Sequence, residues 1–186
     1  MSPEPGLEPT PSQTIGPFFH DALLGEDRSE LVPADHPRAI RIEGTVFDGA
    51  GEPVPDAMVE VWQADESGRY ADQADAPAAF SGFGRTGTDA DGRFSFVTVK
   101  PGTVPGPAGS PQAPHVMVSV FARGLLKRLV SRTYFPDEGE ANARDPVLSS
   151  IEDPTLRDSL VAREQGGVLR FDIHLQGESQ TAFFEL

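Results

Sequence analysis

The sequence predicts an all-β protein: an antiparallel β-sandwich with long loops and one short helical segment near 136–165. Three observations predict it. Seven short runs alternate apolar with polar residues, the period of a strand that buries one face. Turn-forming residues separate the runs, and the 19 Gly and 18 Pro fall mostly there. No strand alternates with a long helical pattern, as a parallel α/β sheet would require.

Residues 1–13 are Pro-rich and acidic and read as an extended arm. The stretch TPSQTIGPFFH (10–20) adds Ile15, Phe18 and Phe19, apolar side chains that need burial against the chain's own domain or a neighbour. Residues 21–37 are polar and punctuated by Pro, without clear periodicity.

The first strand is AIRIEGTVFD (39–48), with Ile40 and Ile42 alternating and Val46 and Phe47 beyond Gly44; DGAGEPV then supplies turn chemistry. In AMVEVWQAD (57–65), Met58, Glu60 and Trp62 oppose Val59, Val61 and Gln63. TDADGRFSFVTV (88–99) is a turn feeding a strand with Phe94 and Phe96 on one face. HVMVSVFA (115–122), RLVSRTYF (128–135), VLRFDIHLQG (168–177) and QTAFFEL (180–186) complete the set, the last two joined by a hairpin-sized loop. Within 136–165, Val147, Ile151, Leu156, Leu160 and Val161 recur at roughly helical spacing, interrupted by Pro154. The connections 64–87 and 98–114 are unusually long, and such loops tend to be functional or to form interfaces. With 186 residues and no internal repeat, a single domain spanning 1–186 is expected.

Composition narrows the function. The absence of cysteine excludes disulfides, thiolate zinc sites and a Cys nucleophile. A net charge of −14 repels phosphate backbones, so no nucleic-acid partner is expected. No apolar stretch approaches membrane-spanning length, and MSPEPGLEPT lacks the basic and apolar regions of a secretory signal. No membrane partner and a cytoplasmic location are therefore expected.

The four histidines, His20, His36, His115 and His174, are far apart, with no paired spacing. Any metal site would need mixed ligands. His36 lies in a turn, and His174 reads as a solvated strand residue. DADG (89–92) resembles a fragment of a calcium loop but reads better as a hairpin turn, because the other ligands of such a loop are missing. No G-x-S-x-G and no phosphate-cradling loop occurs. A basic cluster, Arg123, Lys127, Arg128 and Arg132, stands out in so acidic a chain. By spacing alone it reads as a solvated edge strand, or as an anion site with Arg forking onto a carboxylate.

Six stretches together, TPSQTIGPFF, VEVWQADESGRY, FGRTGTDADGRFSFVTVKPG, APHVMVSVFARG, RTYF and RFDIHLQG, resemble the intradiol aromatic ring-cleaving dioxygenases. Within that family the resemblance is to the alpha-type chain of its two-chain members, and it runs from about Thr10 to Leu186. It implies a β-sandwich paired with a beta chain, the arm 1–37 packing on that partner. It also implies a non-haem Fe(III) site at the interface that cleaves protocatechuate with O2. Members that hold iron supply two tyrosines and two histidines. Those four positions fall here on Tyr70, Val104 (with Thr103 and Pro105 beside it), His115 and Met117. A substrate-stabilising arginine falls on Gln112.

Two donors are therefore missing. The resemblance implies that Fe(III) is ligated by the beta chain, that this chain binds none, and that it has no catalytic residue of its own. Its contribution would be a wall of the substrate pocket: Thr14, Gly16 and Pro17 from the arm, with Ile15 and Phe18 around them, and Arg132 at the substrate's carboxylate. Two other readings stay open: a self-sufficient dioxygenase for another catechol, which needs an intact ligand quartet, and a non-catalytic sandwich used for binding or assembly.

Overall fold

The computed structural model describes residues 13, 14, 16, 18–73 and 80–185. A short helix, α1 (Phe18–Leu23), precedes strands β1 (Ala39–Phe47), β2 (Met58–Trp62), β3 (Phe83–Gly87) and β4 (Arg93–Val99). A small pair, β5 (Val104–Pro105) and β6 (Pro111–Gln112), leads into β7 (His115–Phe121) and β8 (Leu129–Tyr134). Three short helices follow, α2 (Gly139–Arg144), α3 (Pro146–Ser150) and α4 (Pro154–Asp158). The chain then forms β9 (Arg163–Gln165), β10 (Val168–Arg170) and β11 (Ile173–His174).

Two sheets enclose one core, as the alternation predicts. The first has the order β3-β2-β7-β8, antiparallel throughout. The second is centred on β1, antiparallel to β4 along one edge and parallel to β10 and β11 along the other, with β9 outside β10. Val116, Val118 and Val120 point from β7 into the core, meeting Ile42, Val46, Phe94 and Phe96 of the other sheet. The opposite face of β7, carrying His115, Met117 and Ser119, looks outward, because side chains alternate along a strand.

Several expectations need refinement. The run 168–177 is two strands, not one. A Cβ on Gly44 would lie 1.9 Å from the Phe171 carbonyl oxygen, so the backbones pinch together there. At the break the Asp172 carboxylate accepts the Thr45 N–H at 2.9 Å, taking the place of a backbone carbonyl. The run 180–186 is no strand within its described residues. It makes one bridge, Phe184 to Val130, and its Thr181 N–H donates to the His174 carbonyl. Strand β3 lay hidden in the connection 64–87 because FGRTG shows no alternation. Gly84 is needed there, since a Cβ would meet Leu31 at 2.6 Å and Val61 at 2.9 Å.

The helical segment is as expected, and its punctuation is structural. Asp145 and Asp153 cap α3 and α4, each followed by Pro in the first turn. DADG is a turn, with Asp89 Oδ1 accepting from the N–H groups of Asp91 and Arg93. Part of the arm folds on its own chain. Residues 28–31 exchange backbone hydrogen bonds with Arg85 of β3 and Val97 of β4, closing the gap between two sheet edges. Phe19 packs on Phe121 at 6.3 Å, whereas Phe18 is 79% exposed. Residues 1–12, Ile15 and Pro17 lie outside the described residues. Among the described residues, no helix is long and apolar enough to cross a membrane.

Candidate functional site: a polar cluster on the outer face of one sheet

Strand register builds the site. Phe83, Trp62, Met117 and Arg132 are successive partners across the four strands, and His115 pairs with Tyr134 one row away. These residues share the outward face, where Tyr134 meets the start of α3 and Arg132 meets Gln112 of β6. A second, smaller core of Ala113, Tyr134, Leu148, Leu160 and Ala182 seals that side.

Two glycines explain how distant loops converge here. Gly68 has φ +78°, and a Cβ there would lie 1.9 Å from the Thr103 carbonyl oxygen. From the opposite side, a Cβ on Gly102 would meet the Gly68 nitrogen at 2.6 Å. The two long connections therefore touch backbone to backbone, a contact that only glycines allow. Asp65 fastens the first loop, its carboxylate accepting the N–H groups of Ser67 and Arg69 at 2.8 and 2.9 Å. Tyr70 then stacks on Trp62, the rings 6.0 Å apart and 9° from parallel. On the other loop, Val104 is buried and pairs with Gln112.

His115 is 3% exposed, and its Nδ1 lies 2.8 Å from the Ala113 carbonyl oxygen. A carbonyl only accepts, so Nδ1 carries the hydrogen. Burial, aided by the nearby Arg132 charge, lowers its pKa to about 4, so the ring is neutral at neutral pH. Burial also raises the Tyr70 phenol above its ordinary value, with Asp72 adding to the shift and Arg132 opposing it. Tyr134 is raised further by burial, against the opposing effect of Arg132. Both tyrosines are protonated phenols.

Arg132 is engaged within its own chain. Its Nη1 donates to Gln112 Oε1 at 2.7 Å and to the Tyr134 hydroxyl at 3.3 Å, and the Phe184 ring lies 5.8 Å from the guanidinium carbon. The Tyr134 hydroxyl donates in turn to Asp145 Oδ1 at 3.3 Å. Asp145 is fully buried and also accepts from the N–H groups of Val147, Leu148 and Ala113. Reasoning from sequence missed Asp145 as a member of this network. The Asp-Pro pair signals a helix cap but not that the cap is buried beside an arginine.

The four positions that resemblance assigns to iron do not fit a ferric ion in this chain. Tyr70 offers a phenol and His115 an imidazole, but Val104 has no donor atom and Met117 offers a soft thioether. Among the described residues, no group of three or more His, Asp or Glu side chains could hold a metal ion.

The residues assigned to the substrate wall do not all come together. The Thr14 hydroxyl accepts the Gly124 N–H at 3.1 Å and the Gly16 N–H at 3.4 Å. That places both at the β7–β8 turn, whereas Arg132 is opposite Met117. From Met117 to the end of β7 is about 13 Å of strand, with the turn still beyond it. The residue before Gly124 is Arg123, whose side chain is 69% exposed and 3.1 Å from Asp56. His174, half-buried, stacks on Phe47 at 4.8 Å, and His36 sits in a turn.

A family model described as Dioxygenase matches residues 16–177, and the chain belongs to that family. More particularly, it is 45% identical over 195 residues to the protocatechuate 3,4-dioxygenase alpha chain of Pseudomonas putida, covering 96% of this chain and 97% of that one. The protocatechuate 3,4-dioxygenase beta chain of Burkholderia cepacia is 37% identical over 188 residues, covering 91% and 77% respectively. Among solved structures, the dioxygenase domain of a carbohydrate-binding fusion protein from Streptomyces sp. SirexAA-E matches with a TM-score of 0.61 at 30% identity. That match covers 91% of this chain and 99% of that one.

Proposed function

We propose that this chain is the alpha-type, iron-free subunit of a cytoplasmic protocatechuate 3,4-dioxygenase. It pairs with a beta chain that ligates the Fe(III), and the complex converts protocatechuate and O2 to 3-carboxy-cis,cis-muconate. One observation carries the reading: Val104 and Met117 stand where two metal donors are needed, on a face where the Gly68–Gly102 contact brings the two long loops together. Near full-length similarity to an alpha chain supports the same assignment.

Its role is to complete the partner's pocket from the arm end. Thr14 and Gly16 lie there, next to Arg123, which is largely exposed although paired with Asp56 and would exchange that carboxylate for an anionic substrate. Pro17 belongs to the same motif. Arg132, the arginine that resemblance assigns to the carboxylate, is the competing candidate.

Co-expression with a beta chain tests the reading. The purified complex should hold iron and show tyrosinate–Fe(III) absorption, while this chain alone should be colourless and iron-free. A coloured, stoichiometrically iron-loaded preparation of this chain alone would overturn the assignment. In the complex, Arg123→Ala should raise KM for protocatechuate with iron content unchanged. If Arg132→Ala does so and Arg123→Ala does not, the carboxylate belongs to Arg132.

A further inference from the structure

Arg132 lies among the four positions that resemblance assigns to iron and contacts the strand partners of two of them. It stands directly opposite Met117. Its Nη1 donates to Gln112, the strand partner of Val104. The same nitrogen donates to Tyr134, the strand partner of His115. Its charge also reaches Tyr70. One guanidinium therefore lies against the partner of two of the positions, opposite a third and within electrostatic reach of the fourth.

The surroundings are built to keep it there. Gln112 presents an acceptor oxygen, which an arginine at that position would not. The Tyr134 hydroxyl, having donated its proton to Asp145, offers Arg132 a lone pair. Asp145 already receives Tyr134 and three backbone N–H groups, and it caps α3. Through these bonds the guanidinium links β6 and β8 directly, and α3 by way of Tyr134 and Asp145.

Building on the reading of this chain as an iron-free subunit, we infer that Arg132 is the resident cation among these four positions. It ties β8 to β6 and to Tyr134 on the face where a metal ion would otherwise be held, and its charge opposes metal binding in addition to the missing donors. Asp145 directs its oxygens to Tyr134 and three backbone N–H groups rather than to a ligand in this space. A metal entering beside the guanidinium would meet like charge. Restoring the donors is therefore not enough to restore the site.

The test uses the full-length chain in three forms. The first is the double variant Val104→Tyr/Met117→His. The second adds Arg132→Gln, which keeps a hydrogen-bonding side chain without charge. The third adds Arg132→Lys, which keeps the charge. Each is exposed to Fe(II) in air and desalted, then assayed for iron per chain and for tyrosinate–Fe(III) absorption. A parallel Co(II) titration is followed by thermal shift. The Gln form should retain about tenfold more iron than the double and Lys forms, given the size of like-charge penalties. Equal loading of the double and Gln forms, or of the Lys and Gln forms, overturns the inference. So does a Gln form that is folded by circular dichroism yet stays metal-free. If the Gln form fails to fold, Arg132→Met replaces it under the same criteria. Iron bound stoichiometrically by the unaltered chain would instead strike at the proposed function, so the two failures are distinct.

Discussion

The two ends of the β7–β8 hairpin make opposite use of their polar residues. At the His115 end the charged and polar groups face one another: Arg132 meets Gln112 and Tyr134, Tyr134 meets Asp145, and His115 meets a backbone carbonyl. At the arm end, Phe18 is 79% exposed, Leu126 is 60% exposed, and the Arg123 side chain reaches into solvent. The comparison teaches that residues at a family's metal positions need not mark the working surface of a given chain. Here Tyr70 stacks on Trp62, Val104 is buried and His115 bonds a backbone carbonyl, all within the chain.

The largest effect should come from breaking the inward end. Asp145→Ala removes an acceptor used by four donors and leaves Tyr134 and the start of α3 unsatisfied in a buried setting. A loss of about 3–5 kcal/mol in folding free energy is expected, the range for removing one member of a buried charged network. Urea unfolding measures it. A loss below about 1 kcal/mol would mean that water can replace the network.

The same end should make the protein acid-sensitive. His115 has a folded pKa of about 4, below the ordinary value of 6.5. The unfolded chain takes up a proton below pH 6.5 that the folded chain refuses. The associated stability is fully present above that pH and is lost as pH falls towards 4. Between neutral pH and pH 5 the loss should reach about 2 kcal/mol. His115→Gln should flatten this part of the stability profile. An unchanged slope between pH 6.5 and 5 would show that the imidazole is not the group responsible.

Substitution at the outward end should change association rather than folding. Phe18 makes little use of its ring within the chain, so Phe18→Ser should shift folding stability by less than about 0.5 kcal/mol. If the arm docks on a beta chain, the same variant should weaken that complex about tenfold or more, as loss of an aromatic anchor does. Isothermal titration against the beta chain measures this. Unchanged affinity would move the interface away from the arm.

Sequence revealed the sandwich because its signal is local: alternation at Val116, Val118 and Val120, or at Phe94 and Phe96, is visible without knowing what lies opposite. It could not reveal β3, where Gly84 replaces alternation with a close approach. Nor could it reveal the split at Gly44 and Phe171, which depends on two strands 127 residues apart, as the Thr45–Asp172 bond shows. The site was legible as a set of positions: Tyr70, Val104, His115 and Met117 follow from motifs. Resemblance also picked Arg132 out of the basic cluster, but not its neighbours. Strand register sets Arg132 in the row with Met117, within bonding distance of Gln112 and Tyr134, and leaves Arg123 next to the turn that Thr14 joins.

The smallest effect should fall on the residue that most resembles a catalytic one. Tyr70 occupies a position that resemblance assigns to a metal-bound phenolate, yet burial keeps it a protonated phenol here. Its evident work is done by the ring, stacked on Trp62 at 6.0 Å. Tyr70→Phe preserves that stacking and the area buried with it, so stability should change by less than about 0.5 kcal/mol. If the beta chain holds the ion, as proposed, turnover by the complex should likewise stay within experimental error. Urea midpoints and steady-state kinetics on the same preparation decide the matter. A large fall in turnover with stability unchanged would return Tyr70 to the chemistry and erase the contrast between the two ends of the hairpin.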